Sequence, residues 1–287
     1  MTSVSCSIDE QFVNPLFEVF DGGDFSLSSW RDIEASKTVV EVFVADPKAA
    51  PLAAAALAAA GKIVGLGLKP ETRTFPDEDW KLAYRRYFHV DVISPRLVIR
   101  PPWESFSPAA GQHVLTLDPV LSFGTGRHET THACLEFIDR LAAESLPSTC
   151  STRPTLSFLD MGTGSGILAI AARLLGLGPV RGFDIDPDAV DIARKNAALN
   201  QAEIAFAVSD LSKDHAPAQV VAANVLAPLL VRFAPQIAAA VAPGGRLVLS
   251  GILDKDFTGV VAAFAPLGFR PFETLLRGEW RTGLFVR

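Results

Sequence analysis

Hydrophobic and polar positions alternate along the second half of the chain in blocks that predict strands and helices in turn. Short apolar runs predict buried strands, and longer runs with a helical period predict helices. The predicted strands are Leu156–Leu159, Val180–Ile185, Ile204–Val208, Val220–Ala223 and Arg246–Ser250, and the predicted helices are Ile167–Leu175, Pro187–Asn200, Leu229–Val241 and Phe257–Phe264. Such alternation is typical of an open, mostly parallel sheet with helices on both faces.

The last two apolar segments follow one another with no helical pattern between them. They are Phe269–Thr274 and Trp280–Val286, and we expect them to form an antiparallel strand pair. The predicted fold class is therefore α/β, a mostly parallel Rossmann-like sheet with an antiparallel pair at its C-terminal end.

A separate and smaller pattern occupies the first 70 residues. It reads as strand, helix, strand, strand, helix and strand, over Val4–Ser7, Gln11–Phe20, Phe25–Ile33, Thr38–Val44, Pro47–Ala60 and Ile63–Leu68. Proline near the first turn and Gly61 after the last alanine mark the bounds of the second helix. This order is the split β-α-β, or ferredoxin-like, pattern of a small α+β domain.

Residues 71–117 are predicted to connect the two parts. Asp77–Phe88 has the pattern of an amphipathic helix, and two strand-like pieces follow, His89–Ile93 and Arg96–Arg100. Pro101 and Pro102 interrupt the pattern. We therefore expect three segments: an N-terminal domain over 1–70, a connector over 71–117 and a larger domain over 118–287.

The charge balance indicates which kinds of partner the protein can bind. The chain has 26 Lys and Arg against 32 Asp and Glu, a formal net charge of -6, and residues 1–70 alone account for -4 of it. Direct binding of nucleic acid is not expected, because phosphate recognition needs a basic surface. The N-terminal acids are either an ordinary solvated surface or a docking surface for a basic protein.

Cysteine content and apolar runs bear on the compartment. The three cysteines, Cys6, Cys134 and Cys150, form neither a disulfide framework nor a Cys-x-x-Cys metal pair, which favours a reducing cytoplasm. The first ten residues have no signal-peptide pattern, and the alanine run 49–60 is too short to span a bilayer. The sequence therefore predicts a cytoplasmic protein without a membrane segment.

The clearest chemical motif is the glycine loop Asp160–Gly166, DMGTGSG, between a predicted strand and a predicted helix. In open α/β sheets, ligands bind at such loops at the carboxyl ends of strands. Asp184, 18 residues after Gly166, ends the next strand, where its carboxylate could accept both hydroxyls of a ribose. A dinucleotide fingerprint is G-x-G-x-x-G. Here an acid precedes the glycines, which disfavours a pyrophosphate and suits a ligand with an ammonium group.

With this spacing, the loop resembles that of class I S-adenosylmethionine-dependent methyltransferases. The resemblance implies that Asp160 holds the methionine amine of the cofactor, directly or through water, and that Asp184 holds the ribose. It also implies that Gly162, Gly164 and Gly166 shape the loop and that Ile185 packs on the adenine. Asp210, which ends the third strand region, could meet the adenine amine, and an ordinary surface acid is the other interpretation of it.

A second motif, HETTH over His128–His132, matches the zinc-binding pattern H-E-x-x-H. A zinc site would need a third ligand, and no companion motif supplies one downstream. We therefore predict no metal, and a zinc hydrolase remains an alternative of a different class. A dinucleotide-dependent oxidoreductase and a cofactor-binding protein without activity are further alternatives.

The segment Asp118–Thr131, DPVLSFGTGRHETT, resembles the corresponding loop of the ribosomal protein L11 methyltransferase (PrmA) family, whose pattern runs roughly D-P-G-L-A-F-G-T-G-x-H-x-T-T. Further matching stretches are Asp79-Trp80, Phe88-His89, Asp160–Ile170, Gly182–Pro187, Ala223–Ala227, Ser250–Leu253 and Glu279-Trp280. Val120, Ser122, Arg127 and Glu129 depart from that pattern.

This resemblance implies a protein methyltransferase that transfers methyl groups from S-adenosylmethionine to amines of a basic ribosomal protein, L11. A related branch, which methylates lysines of the β subunit of electron-transfer flavoprotein, is the alternative. The N-terminal unit would be the substrate-recognition domain. The loop Phe123–Thr131 would close over the cofactor, with contacts from Phe123, Thr125, Gly126, His128 and Thr130. For His128, a structural role within the loop is the other interpretation.

Asn224 is the predicted catalytic residue. It ends the fourth strand, as the Asn of N-P-P-Y does in other amine and amide methyltransferases of this fold. A side-chain carbonyl there could accept N–H bonds from a neutral amine and aim its lone pair at the methyl group. A turn residue at a strand end is the simpler reading of Asn224.

Overall fold

The computed structural model of the chain describes residues 2–20, 25–32, 37–44, 46–74, 88–118, 128–145 and 155–287. The chain divides into two compact units, Met1–Tyr87 and Phe88–Arg287. Phe123, Thr125 and Gly126 of the predicted loop lie outside the described residues, as does the predicted helix Asp77–Phe88 except for Phe88. Among the described residues, no helix combines the length and apolarity needed to cross a membrane.

The first unit is a four-stranded antiparallel sheet with two helices. Its elements in chain order are β1 (Thr2–Ile8), α1 (Val13–Phe20), β2 (Leu27–Asp32), β3 (Lys37–Val44), α2 (Ala50–Ile63) and β4 (Glu71–Thr74). The strand order is β2-β3-β1-β4, and each neighbouring pair is antiparallel. Alternate residues of β1 and β3, such as Val4, Val40 and Val42, join Leu16 and Leu57 of the helices in one core. Element order and strand order are those of the split β-α-β pattern.

Two predictions at the end of this unit are wrong. Gly61 does not stop α2, which continues to Ile63. Instead, Gly61 lies under the returning chain, where a Cβ would stand 2.5 Å from Cγ of Leu68. Ile63–Leu68 is not a strand, because its first residue ends the helix and the rest forms the return from it. The fourth strand, Glu71–Thr74, comes later and pairs with β1.

The predicted connector is divided between the two units. Glu71–Thr74 completes the first sheet. The second unit then begins with a three-stranded sheet of β5 (Asp91–Ser94), β6 (Leu97–Arg100) and β7 (His113–Thr116). β5 and β6 are antiparallel, whereas β6 and β7 are parallel. Leu97, Ile99 and Leu115 of this sheet belong to the hydrophobic core of the second unit, so the segment is part of that unit's fold.

The main sheet of the second unit has seven strands. They are β8 (Phe158–Met161), β9 (Val180–Asp184), β10 (Ala205–Val208), β11 (Ala218–Asn224), β12 (Val241–Leu253), β13 (Arg270–Arg277) and β14 (Trp280–Val286). Their order is β10-β9-β8-β11-β12-β14-β13. The first five in this order are parallel, and β14 is antiparallel to both β12 and β13. The predicted mostly parallel sheet with an antiparallel C-terminal pair is confirmed.

Helices supply the residues that cover this sheet. They are α3 (Glu129–Ser145), α4 (Ile167–Leu174), α5 (Pro187–Leu199), α6 (Ala227–Arg232), α7 (Ala234–Ala239) and α8 (Phe257–Phe264). One apolar cluster joins the sheet to α3, α4 and the small sheet, and a second joins it to α6, α7 and α8. Each strand of the centre is therefore buried on both faces, as its continuous apolar run predicts.

One predicted helix is interrupted. The pattern predicts one helix over Leu229–Val241, but α6 ends at Arg232 and α7 begins at Ala234, with Phe233 between them. Pro235 follows directly in the first turn of α7. A proline has no N–H to donate to the carbonyl four residues earlier, here that of Val231, and its ring clashes with that carbonyl, so one continuous helix cannot run through this position undisturbed.

Candidate active site

Three neighbouring parallel strands bring the predicted polar residues to one edge of the sheet. β8 lies between β9 and β11, and Asp160 pairs in register with Gly182 on one side and Ala222 on the other. Asp184 and Asn224 are the last residues of β9 and β11. The strand order reverses at β8, because β9 and β10 lie on one side of it whereas β11, the next strand in sequence, lies on its other side. This is the position where open α/β sheets bind ligands.

The glycine loop is tied to β9 by its own backbone. The N–H groups of Gly162 and Thr163 both donate to the carbonyl oxygen of Phe183, at 2.9 and 2.8 Å. The N–H of Gly164 donates to Oδ2 of Asp184 at 2.8 Å, and that of Gly166 donates to the carbonyl of Thr163 at 2.8 Å. A dinucleotide-binding loop instead directs such groups at a pyrophosphate. Here they are already bonded within the protein.

Two glycines in this loop are required by the backbone and its neighbours. Gly162 has φ of 73°, and a Cβ there would stand 2.7 Å from Cγ1 of Val225. Gly166 has φ of 81°, and its Cβ would lie 3.0 Å from Cβ of Ala193 in α5. Both conformations are ones that residues with a Cβ rarely adopt. The glycine spacing therefore lets the loop turn tightly between β8, β11 and α5.

Asp160 is a buried carboxyl beneath the loop, with 1% of its surface exposed. Its Oδ2 accepts from the hydroxyl of Thr163 at 2.7 Å and from the N–H of Ala169 at 3.3 Å. Its Oδ1 is buried and accepts from no described residue. Burial is the main reason that the pKa of Asp160 is raised to about 7; the hydrogen bonds from Thr163 and Ala169 lower the pKa, and the nearby charge of Asp184 adds to the rise. A carboxyl with one open oxygen in this place has the chemistry to attract a ligand ammonium group.

Asp184 faces the loop from the next strand. Besides Gly164, its carboxylate accepts from the N–H of Asp186 at 3.1 Å, so it both positions the loop and keeps lone pairs available. Ile185 follows it with 72% of its surface exposed. An apolar side chain so exposed next to a carboxylate is suited to a ligand with a flat apolar ring beside polar hydroxyls.

Asp210 lies two residues after the end of β10, in a loop joined to the end of β9. The N–H of Ser209 donates to the carbonyl of Asp184 at 2.9 Å. Oδ1 of Asp210 accepts from the N–H of Ser212 at 2.6 Å. Hydrogen bonds from Ser212 hold the pKa of Asp210 below its ordinary value, so the side chain is an ionised acceptor.

The side chain of Asn224 is held by α3. Its Nδ2 donates to Oγ1 of Thr131 at 3.3 Å, and none of the described residues donates to its Oδ1. Close behind it, Gly251 of β12 has φ of 78°, and a Cβ there would lie 2.4 Å from the carbonyl oxygen of Val225. The end of β11 is therefore fixed on one side by a helix and on the other by a glycine of β12.

His128 and Thr130 lie at the beginning of α3. Nδ1 of His128 lies 2.8 Å from Oγ1 of Thr130 and 3.4 Å from the N–H of the same residue, which it can accept. The imidazole also contacts the ring of Trp280 edge-on, at 5.1 Å between centroids. The carbonyl of Thr130 accepts from the buried hydroxyl of Ser250 at 3.2 Å. These contacts fix the position of His128 at the beginning of α3.

The HETTH motif spans the beginning of α3. The helix begins at Glu129, so His128 precedes it and only His132 lies within it. His132 instead lies beside two acids, with Nδ1 3.5 Å from Oε1 of Glu136 and Nε2 4.0 Å from Oδ1 of Asp91. In the part of the chain that the structure describes, no group of three His, Cys, Asp or Glu residues is arranged to hold a metal ion.

Sequence reasoning missed several residues that support the site. Thr163 lies within the motif, and a hydroxyl three residues after an acid is a local signal that could have identified it. Thr131 has no such signal, because it is 93 residues from Asn224 in sequence. The buried pair Ser250 and Thr282, 2.6 Å apart, likewise depends on the pairing of β12 with β14.

The strand order, the glycine loop and the two acids beside it define a class I S-adenosylmethionine-dependent methyltransferase. The family model for "Ribosomal protein L11 methyltransferase (PrmA)" matches residues 18–287. The chain is 43% identical over 216 residues to the ribosomal protein L11 methyltransferase of Geobacter metallireducens, covering 75% of this chain and 69% of that protein. It is 38% identical over 237 residues to that of Chloroflexus aurantiacus, covering 73% and 69%.

A solved structure is similar as well. The ribosomal protein L11 methylase of Lactobacillus delbrueckii subsp. bulgaricus superimposes with a TM-score of 0.60 at 31% identity, covering 70% of this chain and 98% of that one. The chain therefore belongs to the ribosomal protein L11 methyltransferase (PrmA) family. It is an enzyme, and its cofactor is S-adenosylmethionine.

The environment of Asp160 predicts a pH-dependent affinity for the cofactor product. Because its pKa in the folded protein is about 7, raised from 3.8, Asp160 is mostly protonated below pH 7 and ionised above it. The protonated form stabilises the fold fully below pH 3.8, and this contribution is lost as the pH rises through 7. An ammonium group prefers the ionised form, so affinity for S-adenosylhomocysteine should rise roughly tenfold from pH 6 to pH 8.

Calorimetric titration at pH 6, 7 and 8 measures this dependence. Asp160→Asn is the matched control, because it keeps the shape but cannot ionise. It should bind weakly and with nearly constant affinity across the same range. Equal pH dependence in the two proteins would show that Asp160 does not hold the ammonium group.

Proposed function

We propose that this enzyme transfers methyl groups from S-adenosylmethionine to amines of ribosomal protein L11, on lysine side chains, the N-terminus or both. The observation that carries the chemical part is the position of Asn224 at the end of β11, beside the glycine loop and with its Oδ1 open. The names of the matched relatives favour L11 over the β subunit of electron-transfer flavoprotein. Such an enzyme works in the cytoplasm, where ribosomal proteins are made.

Cofactor binding in this proposal uses the residues of the three strand ends. The carboxylate of Asp184 accepts hydrogen bonds from the ribose hydroxyls, while its other lone pairs accept from the N–H groups of Gly164 and Asp186. Ile185 covers one face of the adenine, and Asp210 accepts from its amine. Asp160 attracts the methionine ammonium, directly or through water. The loop Phe123–Thr131, including Phe123, Thr125, Gly126, His128 and Thr130, is assigned to the same site by family resemblance.

Methyl transfer to nitrogen is an in-line displacement at the sulfonium methyl group that the cofactor supplies. The substrate amine must be neutral, because its lone pair attacks the carbon. Oδ1 of Asn224 can accept one of its N–H bonds, and Thr131 keeps the carboxamide in that orientation. Water can take the proton before the amine binds, so no strong general base is needed. Orientation of the reacting groups then supplies most of the rate, and such effects reach about 7–11 kcal/mol.

Recognition of the protein substrate is assigned to the first unit. Residues 1–70 hold nine acids and five bases, -4 of the formal net charge of -6. Complementary charge accelerates encounter with a basic partner and fixes its orientation. We therefore propose a basic protein substrate, no membrane partner and no direct contact with nucleic acid.

Removal of the Asn224 side chain tests the catalytic assignment. Asn224→Ala should lower the rate of L11 methylation about 100-fold, because misplacing a reacting group by ~1 Å has effects of that size. Affinity for S-adenosylhomocysteine should stay within about threefold, because the glycine loop is unchanged. The assay follows methyl incorporation into L11 by mass spectrometry.

His132→Ala is the control for that experiment. His132 belongs to HETTH and follows Thr131, the partner of Asn224, but has no part in the proposed chemistry. Its loss should cost little more than the ~1 kcal/mol of stability typical of point changes. An inactive His132→Ala enzyme together with an active Asn224→Ala enzyme would contradict the proposal and favour the hydrolase alternative.

Charge reversal tests the docking role of the first unit. Asp9 is exposed in the first unit, and Glu203 is exposed in the second. At an ionic strength of about 0.02 M, Asp9→Lys should raise the KM for L11 about two- to fivefold, and Glu203→Lys should leave it nearly unchanged. The difference should disappear at about 0.3 M, where exposed charges are screened. Equal KM values for the two variants at low salt would refute docking through the acidic unit.

A further inference from the structure

The loop 209–217, between β10 and β11, is anchored by hydrogen bonds at both ends. At its beginning, the N–H of Ser209 donates to the carbonyl of Asp184 at 2.9 Å. At its end, Nη2 of Arg181 donates to the carbonyls of Ala216 and Pro217, at 2.6 and 3.3 Å. Both anchors are on β9. The loop is therefore fixed to the strand that carries Asp184.

His215 forms a hydrogen bond to another residue of the same loop. Its Nε2 lies 3.0 Å from the carbonyl oxygen of Asp210. A carbonyl only accepts, so Nε2 carries the hydrogen and donates. The imidazole of His215 therefore fixes the backbone of Asp210 by a hydrogen bond, and the N–H of Ser212 orients the carboxylate of Asp210.

The imidazole is itself positioned by Phe183. The two rings are stacked, with 3.9 Å between centroids and 6° between planes. Phe183 is buried, and its carbonyl oxygen is the acceptor that holds Gly162 and Thr163 of the glycine loop. One residue of β9 thus supports the glycine loop through its backbone and the Asp210 loop through its ring.

We infer that His215 is a positioning residue for purine recognition, which sets the preference of the site for a 6-aminopurine over a 6-oxopurine by holding Asp210 in place. The inference rests on the proposed function, in which Asp210 accepts from the adenine amine. A carboxylate accepts from an amino group and cannot donate to the oxo group that replaces it. The preference therefore depends on where the Asp210 carboxylate stands, which His215 controls without touching the ligand.

The experiment compares S-adenosylhomocysteine with S-inosylhomocysteine, in which an oxo group replaces the 6-amino group. Dissociation constants are measured by calorimetry for the full chain and for four variants. His215→Phe keeps a ring to stack on Phe183 but loses the N–H. His215→Gln keeps an N–H at the position of Nε2. Asp210→Ala removes the acceptor, and Asp214→Ala is the matched control on the neighbouring exposed side chain.

The unsubstituted enzyme should prefer the adenosyl ligand. His215→Phe should lower the ratio of the two dissociation constants about fivefold, the effect of a typical neutral hydrogen bond, through weaker adenosyl binding alone. His215→Gln should retain most of the ratio, Asp210→Ala should lower it at least as much as His215→Phe, and Asp214→Ala should leave it unchanged. A merely structural role for His215 would weaken both ligands equally and leave the ratio intact.

An unchanged ratio in His215→Phe, or a ratio in His215→Gln as low as in His215→Phe, overturns the inference while leaving the cofactor site intact. An unchanged ratio in Asp210→Ala also overturns it, because the purine amine then binds elsewhere. Failure of the unsubstituted enzyme to bind S-adenosylhomocysteine would instead refute the proposed function on which the inference depends.

Discussion

The carbonyl oxygen of Phe183 is the constraint on which the rest of the site depends. It accepts the N–H groups of both Gly162 and Thr163 and so fixes the glycine loop against β9. This leaves Asp160 sealed below the loop and lets the carboxylate of Asp184 reach Gly164. Because these N–H groups are already hydrogen-bonded within the protein, they are not available to a phosphate group. Its remaining chemistry is that of two carboxyl groups, which suits a ligand with an ammonium group and ribose hydroxyls.

Much of this arrangement follows from local sequence. Apolar runs of strand length alternate with helical periods from β8 to α8, and that alternation dictates a parallel sheet. The glycine spacing of the loop and the acid at the end of β9 then follow from the position of the strands. Segments whose structure depends on distant partners were predicted less well. Gly61 has the pattern of a helix stop until Leu68 is packed on it. Ile63–Leu68 has the pattern of a strand, although Val64, Leu66 and Leu68 pack against the core of the first unit from a turn and its return.

The residues that refine the site could not be read from local pattern, because each acts through a tertiary contact. Thr131 meets Asn224 only once α3 has packed against the end of β11. His215 is an unremarkable loop residue until the stacking on Phe183 is seen. Conversely, HETTH is a local match to a zinc motif, but its first histidine precedes the helix that begins at Glu129 and its second lies within it. Short motifs are therefore informative here when strand and helix bounds agree with them.

We propose that the glycine loop, Asp160 and Asp184 together form the cofactor site. A crystal structure of the enzyme with S-adenosylhomocysteine tests it most directly. We expect ribose hydroxyls within hydrogen-bonding distance of the Asp184 carboxylate and the ligand ammonium over Asp160, linked to it directly or through one water. A ligand bound elsewhere, or one whose ribose lies away from Asp184, would refute this assignment.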